Sequence, residues 1–305
     1  MNRIKEVPVP ICGVALGCAA LGNLLQSYSE NVRYFCGILS AIFLVLFILK
    51  VIFYPSMIKE DMKNPIMASV SGTFSMALML LSTYVKPFIG SASYYIWLFA
   101  IVLHAALIIY FTMNFIVRFA YPKVFASYYI VYVGIVVASV TAPAYEQTGL
   151  GSILFWFGLI TFIALFVVVT IRYMKYKEIP NPAKPLFCIY AAPMSLCIAG
   201  YVQSVMPKSI PFLLGMLAIS SIIYVVALVK GIGYLKLPFF PSYAAFTFPF
   251  VISAIASKQT MACLMNIGSP IPILKNVVLV ETVIAVLFTG YTYIRYVEYL
   301  VKTDK

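Results

Sequence analysis

The chain has 305 residues, 63% of them hydrophobic and 10% charged, with a net charge of +12 and a mean hydropathy of +1.01. A water-soluble protein of this length needs far more polar surface, so the composition excludes an ordinary soluble enzyme and makes a lipid bilayer the solvent. No polar stretch is long enough to fold alone, so residues 1–305 read as a single all-α transmembrane domain.

The opening MNRIKEVPVP is too short for a signal peptide, and the apolar run after it lacks a small-residue cleavage pattern, so no cleavable leader is expected. Windows of about 20 apolar residues then mark ten expected spans: 9–26, 33–54, 65–85, 93–118, 124–144, 150–174, 185–205, 210–233, 240–261 and 273–298. A proline precedes or opens each odd-numbered span: Pro8, Pro65, Pro122, Pro182 and Pro241. The intervals are 57, 57, 60 and 59 residues. Proline suits the first turn of a helix, where its missing N–H has no partner to lose. The repeated start signal therefore predicts five tandem helical hairpins, at 8–54, 65–118, 122–174, 182–233 and 241–298.

Odd spans carry small and helix-disturbing residues: Gly13 and Gly17 in the first, Ser71 and Gly72 in the third, Gly134 in the fifth, Pro193 and Ser195 in the seventh. Even spans are richer in bulky aliphatics, as in AIFLVLFILKVIF and FIALFVVVTI. Small residues and kinks suit helices packed on helices or facing water, and bulky aliphatics suit lipid. The expected architecture is an inner ring of five odd helices around a central pore, inside an outer ring of five even ones. The competing reading is small residues that serve close packing, with no lumen.

Span nine, FPSYAAFTFPFVISAIASKQTM, carries the sharpest expectation. Pro249 has no N–H for the carbonyl of Ala245, so a kink is expected there. Ala245 and Ser253 leave room beside it, and Phe248 is expected to be the ring that obstructs the pore.

Of the 21 Lys and Arg, sixteen fall at the N-terminus, in the loops after even spans and at the C-terminus, the last being Lys305. Five fall on the opposite side: Arg33, Lys86, Lys208, Lys258 and Lys275. The bias places both termini in the cytoplasm and explains the basic balance without nucleic acid. Lys86, Lys208 and Lys258 sit near the outer ends of odd spans, where they concentrate anions at a mouth or simply snorkel to the interface.

Glu281 is the one carboxylate well inside a span, and His104 is the sole histidine. Each is a candidate for proton coupling, weighed against a structural hydrogen bond to a neighbouring helix. The six cysteines have no CxxC spacing and read as buried hydrophobes. Tyrosines near span ends read as an interfacial belt. There is no GxSxG, HExxH or P-loop, so neither an enzyme nor a bound metal or cofactor is expected.

Three stretches carry a family likeness: PVPICGVALGCAALG, NPIMASVSGTFSM and SYAAFTFPFVISAIAS. Through them the chain resembles the tellurite-resistance/dicarboxylate transporter family, which includes plant guard-cell slow anion channels, fungal malate permeases and fungal sulfite pumps. The resemblance covers essentially the whole chain. It implies a homotrimer in the bacterial plasma (inner) membrane, each protomer holding its own pore of five kinked inner helices plugged by Phe248. Where the family places a second aromatic ring before the first glycine of the first helix, this chain has Cys12, so occlusion rests more heavily on Phe248. Two transport functions follow as expectations: a channel for small monovalent anions such as nitrate, iodide, bromide and chloride, or a carrier for C4-dicarboxylate, sulfite or tellurite, coupled to protons through Glu281 or His104. A non-transporting scaffold is the third.

Overall fold

The structure is a computed structural model that describes residues 2–302; Lys305, counted above with the terminal-side cations, lies outside them. The described residues are helical, with no strand among them. Eight helices are long and apolar enough to cross a membrane. They are α2 (Glu30–Phe53), α3 (Pro65–Ile89), α4 (Ala92–Ile116), α6 (Thr148–Lys175), α7 (Asn181–Ser204), α8 (Ile210–Tyr234), α9 (Pro241–Asn266) and α10 (Leu274–Lys302). Two shorter apolar helices, α1 (Ile11–Leu25) and α5 (Val136–Tyr145), complete the set. Local signals set several starts: Ser29 and Ser209 accept from the backbone N–H three residues on, capping α2 and α8.

Burial separates the helices into two classes. The most apolar windows of α3, α7 and α9 are 61%, 89% and 72% buried, whereas those of α2, α4, α6, α8 and α10 are only 28–39% buried. In α1 every residue except Asn23 and Leu25 is buried. The exposed faces of the second class carry Ile42, Val45, Ile160, Ile222 and Leu287, side chains at home among acyl chains. Each even helix packs on the odd helix before it. Among the odd helices, α1 touches α3 and α9, α3 touches α5, α5 touches α7, and α7 touches α9.

Four of the five odd helices, all but α1, are interrupted or preceded by a short separate helical segment. In α3 an α-helical turn over Pro65–Val70 gives way at Ser71 to Gly72–Ile89. Before α5 a short helix, Tyr128–Tyr132, stops at Val133 and Gly134. In α7 a tightly wound 3₁₀ stretch, Asn181–Ala191, precedes the α-helix Ala192–Ser204. In α9 a 3₁₀ stretch, Pro241–Phe246, ends at Thr247 before the α-helix Phe248–Asn266. Long 3₁₀ runs are uncommon because their hydrogen-bond geometry is poor. The kink expected at Pro249 is thus a full restart. Pro249 occupies the first turn of the new helix, where a missing N–H leaves no carbonyl of that helix unpaired.

Candidate functional site

The interruptions border one cavity of about 50 Å³, room for a few waters at most. Gly13, Gly134, Pro193, Ala245, Phe248 and Pro249 line it, with Thr73 supplying α3's share. Its wall is almost wholly apolar. On the far side of Phe248 lies a second, larger cavity of about 310 Å³ with a polar wall that includes Asn23, Thr83, Gln203, Gln259 and Arg33. Phe248 and Leu196 line both cavities. They are 6% and 2% exposed, so a buried benzyl group and a buried isobutyl group are shared by the two linings.

The backbone holding Phe248 is fixed by α1. The Thr247 hydroxyl is 2.7 Å from the Ala244 carbonyl and 3.0 Å from that of Gly13. A Cβ on Gly17 would lie 2.4 Å from Thr247 Cβ and 3.0 Å from the Phe248 nitrogen, so only glycine admits this approach. A Cβ on Gly13 would lie 3.1 Å from that of Ala244.

Several residues expected to line the pore do so in neither cavity. Cys12 is fully buried in the core, and Gly17 faces Thr247. Ser71 turns its hydroxyl back to the Ala68 carbonyl, and Gly72 lies against Leu107 and His104 of α4. Ser195 and Ser253 are 3.0 Å apart, and Ser195 is also 2.7 Å from Ser220 of α8. The physical reason is common to all six: small residues were read as lumen-facing, and at these positions smallness serves helix contact instead.

His104 is fully buried on α4 between α3 and α5. Its Nε2 is 3.0 Å from the Val131 carbonyl, which only accepts, so that nitrogen donates; Nδ1 lies 2.7 Å from the Ser75 hydroxyl. The ring fills the space left by Gly72 and Gly134. Glu281 is buried on α10, facing α9, with Oε2 unpartnered. Neither borders the two cavities.

The three outer lysines also stand outside the cavity wall. Lys86 donates to the Ala144 carbonyl, Lys208 to those of Tyr201 and Val205, and Lys258 to that of Leu24 and to the Ser27 hydroxyl. Burial pushes the Lys208 ammonium below the usual lysine range. The cation that does line the polar cavity is Arg33, placed by Asn23 Oδ1 at 3.3 Å and Glu30 at 3.5 Å. The sequence marks Arg33 only as one of five cations on the side opposite the termini, in the first turn of α2, and Leu196 is one leucine among many. Among the described residues no group of three His, Cys, Asp or Glu is placed to hold a metal.

A family model described as voltage-dependent anion channel matches residues 6–297 of the chain. No curated protein matches it.

Proposed function

We propose a function that starts from one premise: the chain belongs to the voltage-dependent anion channel family. It is accordingly a multi-pass membrane protein and an anion channel or transporter of that family. Our reading is that α1, α3, α5, α7 and α9 form an inner ring around a conduction path, with the even helices outside, ten spans in all. The cycle of contacts among the odd helices supports it, as does their deeper burial. In this reading the chain is one transmembrane domain of five hairpins with both termini cytoplasmic, assembled as a homotrimer in a bacterial plasma membrane.

The observation that carries the proposal is the pair of cavities separated by Phe248 and Leu196. Stacked along one path, they make a polar vestibule and an apolar chamber with an apolar wall between. Such a wall holds a pore shut by excluding water, and moving the Phe248 ring joins the two spaces. The chamber has no charged side chain in its lining. First-turn residues of four inner helical segments border it: Gly13, Thr73, Pro193 and Pro249. Helix starts carry partial positive charge, which favours an anion without a fixed cation. Little compensation is offered for lost hydration, so weakly hydrated anions pass best, nitrate and iodide ahead of bromide and chloride.

The test is anion current through the reconstituted protein, wild type against Phe248→Ala, across that series. A variant current equal to wild type would remove Phe248 from the role. A proton-coupled carrier for dicarboxylates, sulfite or tellurite is the second reading, favoured by the unpartnered Oε2 of Glu281.

A further inference from the structure

Four of the five cations on the side opposite the termini, all but Lys275, share one kind of partner. Lys258 Nζ lies 2.7 Å from the carbonyl of Leu24, in the last turn of α1. Lys86 donates to the carbonyl of Ala144, at the end of α5. Lys208 donates to the carbonyl of Tyr201, at 2.9 Å, and to that of Val205, the residue capping α7. In α3, Pro87 has no N–H to give to the carbonyl of Thr83, and Arg33 Nη2 lies 3.5 Å from that oxygen. Three inner helices thus end on a cation, and in a fourth a cation meets the carbonyl that Pro87 frees near its end. The three lysines also lie over tyrosine rings, Lys258 over Tyr28, Lys86 over Tyr145 and Lys208 over Tyr201, at 5.2–5.4 Å from the centroids. Among the described residues no ion pair joins any of these lysines to a carboxylate.

The carbonyl end of a helix carries about −0.5 of an elementary charge. Thr83 and Ala144 line the polar vestibule, as does Gln259 beside Lys258, so these negative ends surround the entrance an anion would use. Left bare, they oppose its entry. One full positive charge on each reverses the sign.

We propose that Lys86, Lys208, Lys258 and Arg33 form a collar of helix-capping cations that converts an anion-repelling mouth into an anion-attracting one. The proposal rests on the transport reading above and deepens it by naming the residues that set the local potential. Arg33 contributes least, because Glu30 offsets part of its charge. The lysines do so without entering the path, which explains why none of them lines the vestibule.

The potential is measurable without any transport. All six native cysteines are buried, so Gln203→Cys supplies a vestibule thiol in the full chain reconstituted in lipid vesicles. Its rates of reaction with an anionic and a cationic methanethiosulfonate are compared. A unit charge roughly 10 Å away through water changes a monovalent reagent's local concentration by about twofold, so the anionic-to-cationic ratio should fall about fourfold in Lys86→Gln or Lys258→Gln. At about 1 M salt, where the screening length is about 3 Å, the difference should vanish, and Lys86→Arg should keep the parent ratio. An unchanged ratio in the Gln variants, or a fall that persists in 1 M salt, overturns the collar. If a Gln variant fails to fold, the parent alone decides: its ratio, with each rate divided by that reagent's rate on a small free thiol under the same conditions, must exceed one at about 10 mM salt and approach one at about 1 M. A salt-sensitive ratio above one in protein that passes no anion leaves the collar standing and overturns the transport reading.

Discussion

The Thr247 hydroxyl meets the carbonyl of Gly13 at 3.0 Å, joining the point where α9 restarts to the first turn of α1. Residues 234 positions apart in the chain thereby fix the backbone that carries Phe248. This contact is possible because Gly17, one turn beyond Gly13, has no side chain.

The first prediction concerns that glycine. Gly17→Ala puts a methyl 2.4 Å from Thr247 Cβ and should cost about 1–3 kcal/mol of stability through overpacking. Gly215→Ala on α8, where an added Cβ meets nothing within 4 Å, should be neutral or stabilising by up to about 1 kcal/mol. Thermal unfolding of both variants in detergent checks the contrast. Equal melting temperatures would show that α1 and α9 separate easily.

The second concerns the wall between the cavities. Phe248→Ala should raise anion current by at least about tenfold, the effect of lowering a barrier by about 1.4 kcal/mol. Leu196→Ala should raise it in the same direction but less, because the benzyl group remains. Loss of the leucine should also lower stability by about 2 kcal/mol, the low end for such truncations, since the site already adjoins open space. Single-channel recording and unfolding on the same preparations separate the two effects. A rise with Leu196→Ala alone would move the barrier from α9 to α7.

The third distinguishes channel from carrier. With a fixed anion gradient, the reversal potential should stay constant as a pH gradient is imposed, and Glu281→Gln should leave it unchanged. A carrier coupled through this carboxyl would shift with the proton gradient and lose the shift in the variant. Current–voltage curves at two pH gradients decide it.

The fourth concerns His104. His104→Ala should lower stability by about 1–3 kcal/mol, because it takes the ring N–H from the buried Val131 carbonyl, while the Ser75 hydroxyl keeps the Gly72 carbonyl as a partner. The relative permeabilities of nitrate, iodide and chloride should not change. Bi-ionic potentials test this, and an altered sequence would bring His104 into the conduction path.

Much of the helical layout was legible because it follows from the solvent. Apolar length and punctuating prolines are read directly, and the span expected at 240–261 overlaps Pro241–Asn266 in all but its first residue. Phe248 and Pro249 were legible as neighbours of a chain break, since proline's missing donor is a local property. The facing direction of small residues was not. Gly13 borders the cavity, whereas Gly17, four residues on, is pressed against Thr247, and nothing in a GxxxG pattern tells these apart. Leu196 was illegible for a different reason: its position opposite Phe248 depends on how α7 meets α9, a relation carried by no short window. The sequence places the lysines near the outer ends of odd spans, at a mouth or the interface, but not on carbonyls, because those partners belong to the backbone, which has no signature in composition.

The tight seat of Thr247 also limits how a path past Phe248 can open. At Gly17 the space between α1 and Thr247 of α9 does not admit even one added methyl group. The freedom left at this level is torsional, a swing of the phenyl group about its own side-chain bonds. Rotamer changes of that kind need no helix to travel, so in the proposed reading passage is switched while the scaffold stays still. A conducting state with α9 unbent would contradict this.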